Sequence, residues 1–174
     1  LTFFYVKDQA NLTNRFIGKP FKGLRPAKSA VNKLIAPPYD VVSREQVAKI
    51  VEANPDSFLR VSRAEVDFDK YINAYSDEVY QQAAKNFGQL LTSNIIRADE
   101  KDSYYVYKIS SKHHAQTGLV FGASISAYLE GRIKRHELTR EKKELDRIKH
   151  IEALQAQTGP VMLIHKENKN LKTI

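Results

Sequence analysis

Cysteine and tryptophan are both missing from this chain of 174 residues, and methionine occurs only once. Without cysteine, the chain can form neither a disulfide scaffold, nor a thiolate zinc site, nor a cysteine nucleophile. The absence of disulfides fits a reducing cytoplasm, and we expect the protein to be cytoplasmic. No apolar run approaches the roughly 20 residues of a membrane-spanning helix, so no membrane segment is predicted.

The composition is that of a globular domain with an excess of positive charge. Apolar residues make up 42% of the chain and charged residues 28%, which is ordinary for a folded protein. The length suffices for one domain with its own hydrophobic core. The formal net charge of +8 favours anionic partners such as phosphates, nucleotides or nucleic acid. We therefore expect a small anionic ligand, although charge alone does not choose among these partners.

Three segments have the pattern of helices. Ser43 and Gln46 form a capping box that begins the first helix, and Asn54-Pro55 ends it. The second helix spans residues 76–91, with apolar side chains at helical spacing: Val79, Ala83, Phe87 and Leu90. The third helix spans residues 139–157, and its predicted apolar stripe consists of Leu145, Ile148, Ile151 and Leu154.

Four segments have the composition of strands, namely residues 58–61, 104–109, 117–129 and 161–164. The second and third of these are predicted to pair in an antiparallel manner across a turn at residues 110–116. Strands and helices intermix without a strict βαβ rhythm. The expected fold is therefore α/β in the mixed α+β sense, with a mixed sheet and helices packed on it.

The strongest candidate site runs from Gly131 to Thr139, where a predicted strand leads through a loop into the third helix. The unpaired N–H groups and the positive dipole end of a helix start attract anions. Several side chains would add to a phosphate-binding surface there: Arg132, Lys134, Arg135 and His136 in the loop, Thr139 as the N-cap, and Lys143 and Arg147 on one helix face with Arg140 and His150. The alternative is a solvated helix whose charges are simply exposed.

Histidine and carboxylate residues give two weaker signals. His136-Glu137 lacks the second histidine of a zinc metalloprotease helix, because position 140 is arginine. His113-His114 lie in a predicted hairpin loop without accompanying ligands, so no metal site is predicted. Asp40 follows the rigid Pro37-Pro38-Tyr39 segment and could orient a substrate or act as a base. The alternative role of Asp40 is to cap the following turn.

Four motifs follow one another along most of the chain: Pro20-Phe21-Lys22-Gly23-Leu24-Arg25-Pro26, then Ala36-Pro37-Pro38-Tyr39-Asp40-Val41, then Asn54-Pro55-Asp56-Ser57-Phe58-Leu59-Arg60-Val61, and finally Arg135-His136-Glu137-Leu138-Thr139 followed by Lys143-Glu144-Leu145-Asp146-Arg147. In this order they resemble the prokaryotic domain-of-unknown-function family 1015 (DUF-1015). The resemblance implies a single domain over residues 20–174, preceded by a leader or extended arm at residues 1–19. Family members are usually longer, so it also implies the N-terminal part of a longer protein.

More distantly, the chain is similar to the ParB/sulfiredoxin-like fold, which includes free-serine kinases. In that fold a strand leads through a turn containing glycine and arginine into a helix whose start holds phosphates, and residues 131–139 have a similar layout. The resemblance implies a small-molecule phosphotransferase. Arg132, Lys134, Arg135 and His136 would then hold the transferred group, and Glu137 or Asp40 would be the catalytic base. ATP, ADP or pyrophosphate would be the donor, together with Mg²⁺, which phosphate chemistry usually recruits.

Two other functions are open at this point. The first is a ParB-like module that binds a nucleotide or nucleic acid without turnover. Nucleic acid is the less favoured ligand, because acidic residues interrupt the basic segment: Glu137, Glu141, Glu144 and Asp146. The second is a scaffold domain that packs on a C-terminal portion of a longer protein, which predicts an exposed apolar patch and no ligand.

Overall fold

The computed structural model describes residues 17–134 and 140–164. In these residues helices intermix with short strands, which confirms the α/β class predicted from the sequence. The described part of the predicted leader is limited to residues 17–19, of which Gly18–Lys19 form the first strand. None of the helices in the described ranges has both the length and the apolar composition needed to cross a membrane.

The described ranges contain six α-helices, which in chain order are α1 (Val31–Leu34), α2 (Arg44–Ala53), α3 (Leu59–Ser62), α4 (Asp77–Thr92), α5 (Ile125–Leu129) and α6 (Glu141–Leu154). Two 3-10 turns, Lys28–Ala30 and Ala64–Asp67, adjoin α1 and α3. The strands are β1 (Gly18–Lys19), β2 (Leu24–Pro26), β3 (Ile96–Ala98), β4 (Tyr105–Ser110), β5 (Ala115–Val120) and β6 (Gly122–Ala123).

The strands form three separate antiparallel pairs, β1 with β6, β2 with β3, and β4 with β5. The predicted mixed sheet is therefore not the arrangement of the described residues. Four of the strands have only two or three residues, which is too short to continue into a wider sheet. The hairpin of β4 and β5 is confirmed, with Tyr105 opposite Val120 and Ser110 opposite Ala115.

Helices α2 and α4 form where the sequence predicts them. The Oγ of Ser43 accepts a hydrogen bond from the N–H of Gln46, and the Gln46 side chain accepts one from the N–H of Ser43, so the capping box is complete. Asn54 is the C-cap of α2. Ser76 is the N-cap of α4, and the predicted apolar positions of α4 are all buried: Val79, Ala83, Phe87 and Leu90.

Helix α4 is the centre of the core, because α3, α6 and the 3-10 turn at 64–67 all pack against it. The buried cluster around it consists of Leu34, Phe58, Val61, Ala64, Val79, Ala83, Phe87, Leu90, Ile96, Leu154 and Ala156. The strand predicted at 58–61 is wrong, since these residues lead into α3. Leu59 and Val61 are both 0% exposed, and a short apolar run buried this completely suits a helix or a strand equally well.

Two other strand predictions are also wrong. The strand predicted at 117–129 ends at Val120, and its second half is α5. Ser124 begins α5 by accepting a hydrogen bond from the N–H of Ala127 at 3.1 Å, so an N-cap overrides the alternation of apolar residues. Residues 161–164 form no strand and are exposed, because no neighbouring strand among the described residues pairs with them.

A polar cluster joins the motif at 20–26 to strands β3 and β4. Arg25 donates two parallel hydrogen bonds to Asp99, with the shortest N–O distance 2.7 Å. The hydroxyl of Tyr105 lies 2.6 Å from Asp99 and accepts a hydrogen bond from the N–H of Gly23 at 2.7 Å. The hydrogen bond from Arg25 lowers the pKa of Asp99, so this carboxylate stays charged at neutral pH. The motif at 20–26 thus has a structural role.

Gly23→Ala is expected to destabilise the protein by about 1–3 kcal/mol, because the new Cβ would lie 2.8 Å from the ring and hydroxyl of Tyr105. Gly88→Ala in α4 is the matched control. Its Cβ would meet no atom within 4 Å, and alanine stabilises a helix interior by about 0.5–1 kcal/mol relative to glycine. Urea unfolding of both variants measures the difference. Equal changes in the free energy of unfolding would contradict the close contact at Gly23.

Candidate functional site: a polar cleft beside helix α6

Helix α6 turns a polar face toward the core. Its buried residues are Asp146, His150 and Leu154, which follow one another at intervals of four. The predicted apolar stripe is wrong at its first two positions, since Leu145 is 53% exposed and Ile148 is 45% exposed. The polar face can be buried because hydrogen-bonding groups of α3 and α4 lie opposite it.

The carboxylate of Asp146 is paired on both oxygens. Tyr80 of α4 donates its hydroxyl proton to Oδ1 at 2.9 Å, and Arg147 donates from Nη2 to Oδ2 at 2.8 Å. The pKa of Tyr80 is raised, first by burial and then by this hydrogen bond, so the hydroxyl keeps its proton. Both oxygens of this buried carboxylate thus have hydrogen-bond donors.

The imidazole of His150 is 3% exposed, and its Nε2 lies 3.0 Å from the backbone oxygen of Val61. A carbonyl only accepts, so Nε2 carries the proton and Nδ1 of the neutral ring is a hydrogen-bond acceptor. Nδ1 is buried and has no hydrogen-bond partner among the described residues. Burial lowers the pKa of His150, and the neutral form therefore prevails at pH 7.

The loop that carries Asp40 lies beside the same helix. The guanidinium of Arg147 lies over the ring of Tyr39, 4.4 Å from its centroid. Arg63 donates from Nη1 to the backbone oxygens of Tyr39 and Val42, at 2.7 and 2.8 Å, and pairs through Nε with Glu65. The structure thus brings two candidate segments together that are about a hundred residues apart in sequence, the loop before α2 and helix α6.

A cleft lies between α6, α4 and the segment from α3 to the following 3-10 turn. Its polar lining includes Glu65, Tyr80, Asp146, Arg147 and His150, and its apolar lining consists of small side chains, Val61, Ala64, Ala74, Val79 and Ala83. The cleft has about 20 Å³ of space for a water-sized group. One water molecule needs about 10–15 Å³, so the cleft accepts a single small polar group.

The structure describes only some of the predicted site residues. Arg135, His136 and Thr139, predicted to bind phosphate, and Glu137, predicted as a base, lie outside the described residues. Arg132 forms an ion pair with Glu130 at 2.9 Å, Lys134 and Lys143 are exposed, and Arg147 lines the cleft.

The structure also describes the start of α6, the helix face that carries His150, and the position of Asp40. Helix α6 begins one residue later than a Thr139 cap implies, because Arg140 has the extended backbone of an N-cap. His150 shares a helix face with Lys143 and Arg147 as predicted, but the side chain of His150 is buried whereas that of Lys143 is exposed. The exposed carboxylate of Asp40 is next to the stacked Tyr39.

His113 and His114 are exposed in the hairpin loop, as predicted. In residues 17–134 and 140–164, no three His, Asp or Glu side chains are close enough together to hold a metal ion.

Glu65, Tyr80 and Asp146 are polar residues of the cleft to which the sequence analysis gave no role in a site. The sequence did contain a signal for Asp146, because Asp146, His150 and the apolar Leu154 are spaced four residues apart and therefore lie on one face of the helix. Tyr80 follows the buried Val79 in α4, and its contact with a residue 66 positions away has no signal in a single sequence.

Tyr80→Phe is expected to lower the free energy of unfolding by about 1–3 kcal/mol, because it leaves the buried Oδ1 of Asp146 without its donor. Tyr71→Phe is the control, as Tyr71 is 83% exposed. Chemical denaturation of the two variants provides the comparison. The same unfolding midpoint in both would mean that the Tyr80 hydroxyl contributes nothing to stability.

The stability of the protein is expected to decrease as the pH falls from about 7.5 to about 5.5. Below the ordinary pKa of 6.5 the unfolded chain binds a proton at His150 that the folded chain does not bind. The charged and titratable groups around the ring are Asp146, Arg147, Tyr80 and Glu65. For this one group, the free energy of unfolding changes by at most about 1.4 kcal/mol per pH unit. The measurement is the free energy of unfolding at several pH values. His150→Gln should remove this pH dependence, whereas the control His113→Gln should retain it. An unchanged pH dependence in His150→Gln would contradict the role given to His150.

No curated protein and no solved structure matches the chain in comparisons with known proteins. The sequence model of one family, described as "Protein of unknown function (DUF1015)", matches residues 19–174. This range contains α1 to α6 and the whole cleft, and it agrees with the resemblance read from the four motifs. The chain therefore belongs to the DUF1015 family.

Proposed function

We propose that this chain binds a phosphate-bearing small molecule beside the first turns of α6 and transfers a phosphoryl group from it to a small acceptor. The observation that carries the proposal is the position of Arg147, whose guanidinium is held between Asp146 and the ring of Tyr39. Its Nε and Nη2 donate to Asp146, and Nη1 makes no hydrogen bond to the described residues. A planar guanidinium held in place with free donors is suited to phosphate.

Other exposed cations lie on α6 or precede it in the chain. Lys143 lies one turn before Arg147 on α6, and Lys134 and Arg140 precede the helix; all three are exposed. The start of this 14-residue helix also carries the positive end of the helix dipole, and the side chain of the N-cap residue Arg140 does not cap its backbone N–H groups. With a net charge of +8, these groups would attract an anionic ligand to this part of the surface.

Phosphoryl transfer requires cations on the transferred group and a carboxylate or other base near the acceptor. Arg147 and Lys143 supply the cations. Asp40 is an exposed carboxylate beside Tyr39, and Glu137 is the second candidate from the sequence. Proteins usually hold Mg²⁺ through one or two carboxylates together with waters and substrate phosphates, so Asp40 would suffice as its protein ligand. The donor would be ATP, ADP or pyrophosphate.

One observation favours the scaffold alternative. Leu145 and Ile148 form an exposed apolar strip on the outer face of α6, and residues 161–164 are exposed as well. Such a surface is typical of a domain that packs on another one. The scaffold function predicts that phosphate compounds do not bind the protein, whereas the phosphotransferase function predicts that they do. The ParB-like module predicts binding without turnover.

The first test is a thermal-shift titration of the protein with ATP, ADP, pyrophosphate and phosphate, with and without Mg²⁺. A ligand that binds the native state raises the melting temperature by mass action. Arg147→Lys keeps the charge but loses the planar fork, and it is expected to raise the Kd at least about tenfold, since a hydrogen bond to a charged group contributes about 1.5–3 kcal/mol.

The matched control is Lys112→Ala, which changes a cation exposed in the β4–β5 hairpin loop and should leave the Kd unchanged. Phosphoryl transfer is then followed by ³¹P NMR with L-serine and glycerol as acceptors. If no phosphate compound shifts the melting temperature, the proposal fails and the scaffold function is favoured. Binding without transfer favours the ParB-like module.

A further inference from the structure

The buried Nδ1 of His150 has no role in the proposed phosphate site. A buried acceptor without a hydrogen-bond partner is unfavourable, so native proteins rarely retain one without a ligand or water to pair it. His150 is also one of the residues that line the cleft. Together the unpaired lone pair and the adjacent space indicate a binding position for a hydrogen-bond donor that the described residues do not supply.

The surrounding groups define the chemistry of this donor. Val61 fixes the proton on Nε2, which leaves Nδ1 as a lone pair that can accept. Asp146, in contrast, already receives hydrogen bonds on both oxygens from Tyr80 and Arg147. His150 is therefore the base of the cleft that is neutral and unpaired. Asp146 is a nearby negative charge that favours its protonated form, and the positive charge of Arg147 opposes this with a larger effect.

The size of the cleft selects a small donor. Its space of about 20 Å³ takes one hydroxyl group and excludes a sugar ring or a nucleobase. Ala64, Ala74 and Ala83 surround this space with methyl groups that make no hydrogen bonds, so the hydroxyl must pair with one of the polar groups. Arg147 lines this space and also lies over the ring of Tyr39, and its guanidinium is where the phosphate donor would bind.

We infer that the cleft is the acceptor pocket of the proposed phosphotransferase, that it takes the hydroxyl of a small alcohol, and that Nδ1 of His150 removes the proton of this hydroxyl. In the step, the acceptor oxygen bonds to the terminal phosphorus of a nucleotide or pyrophosphate while the bridging P–O bond breaks. The bond electrons leave with the bridging oxygen, and the acceptor proton passes to Nδ1. His150 becomes an imidazolium beside Asp146. The inference rests on the proposed function, and it assigns the base to His150 instead of Asp40 or Glu137.

The test uses the full chain, with His150→Gln and the exposed His113→Gln as its control. Glutamine can still donate to the oxygen of Val61, but it cannot accept a proton. We expect His150→Gln to bind ADP or pyrophosphate within about twofold of the unmodified protein, and to transfer phosphate at least about 100-fold more slowly, the usual contribution of a general base. The kcat of the unmodified protein should fall as the pH drops through the pKa of His150 in the folded protein, which burial lowers below the ordinary 6.5, and this dependence should disappear in His150→Gln.

A second measurement does not require the variant to fold. The ¹⁵N resonance of Nδ1 in the unmodified protein should move on titration with glycerol or L-serine in the presence of ADP and Mg²⁺. L-alanine, which lacks the hydroxyl, should not move it. Undiminished transfer in His150→Gln would overturn this inference and leave the proposed function standing. Failure of both alcohols to move the resonance, with ADP bound, would also overturn it, whereas absence of any phosphate binding would overturn both proposals.

Discussion

The pairing of Asp146 with Tyr80 determines how α6 sits on the core. A carboxylate on the inward face of a helix is unfavourable unless its charge is compensated, and the hydroxyl of Tyr80 together with the guanidinium of Arg147 compensates it. This pairing fixes the rotation of α6 about its axis. His150 consequently points toward the oxygen of Val61, and Arg147 reaches the ring of Tyr39. The cleft exists because these polar contacts hold α6 where an apolar face would have packed closed.

The loop before α2 depends on the same helix. Arg63 binds two of its backbone oxygens and Arg147 covers Tyr39, so two cations from different elements hold the segment that carries Asp40. Arg44, the first residue of α2, works in a similar way, because its Nη2 donates to three backbone oxygens of residues 65–69. Much of the positive charge that suggested an anionic ligand thus stabilises loops. The cations at the start of α6, in contrast, are exposed and available for binding.

Local signals predicted local structure well. The capping box at Ser43 and the apolar spacing of α4 depend only on neighbours within four residues, and both were confirmed. Predictions that depended on tertiary partners were less successful. The run at 58–61 was predicted as a strand but leads into α3, which is buried against α4, α2 and the 3-10 turn at 64–67. The apolar stripe predicted for α6 was wrong because polar side chains of α6 have partners on α3 and α4. For the site, the sequence indicated Arg147 and the Asp40 loop separately, but not that they meet, and it gave no indication of Tyr80.

The mutual dependence of Tyr80 and Asp146 has a consequence for the evolution of these positions. A lineage that replaces the carboxylate with an apolar side chain leaves a buried hydroxyl without an acceptor, and one that replaces the tyrosine leaves a buried charge short of a donor. Neither change is tolerated easily alone. The two positions, 66 residues apart, are therefore under selection as a pair, and drift at one constrains which amino acids the other can accept.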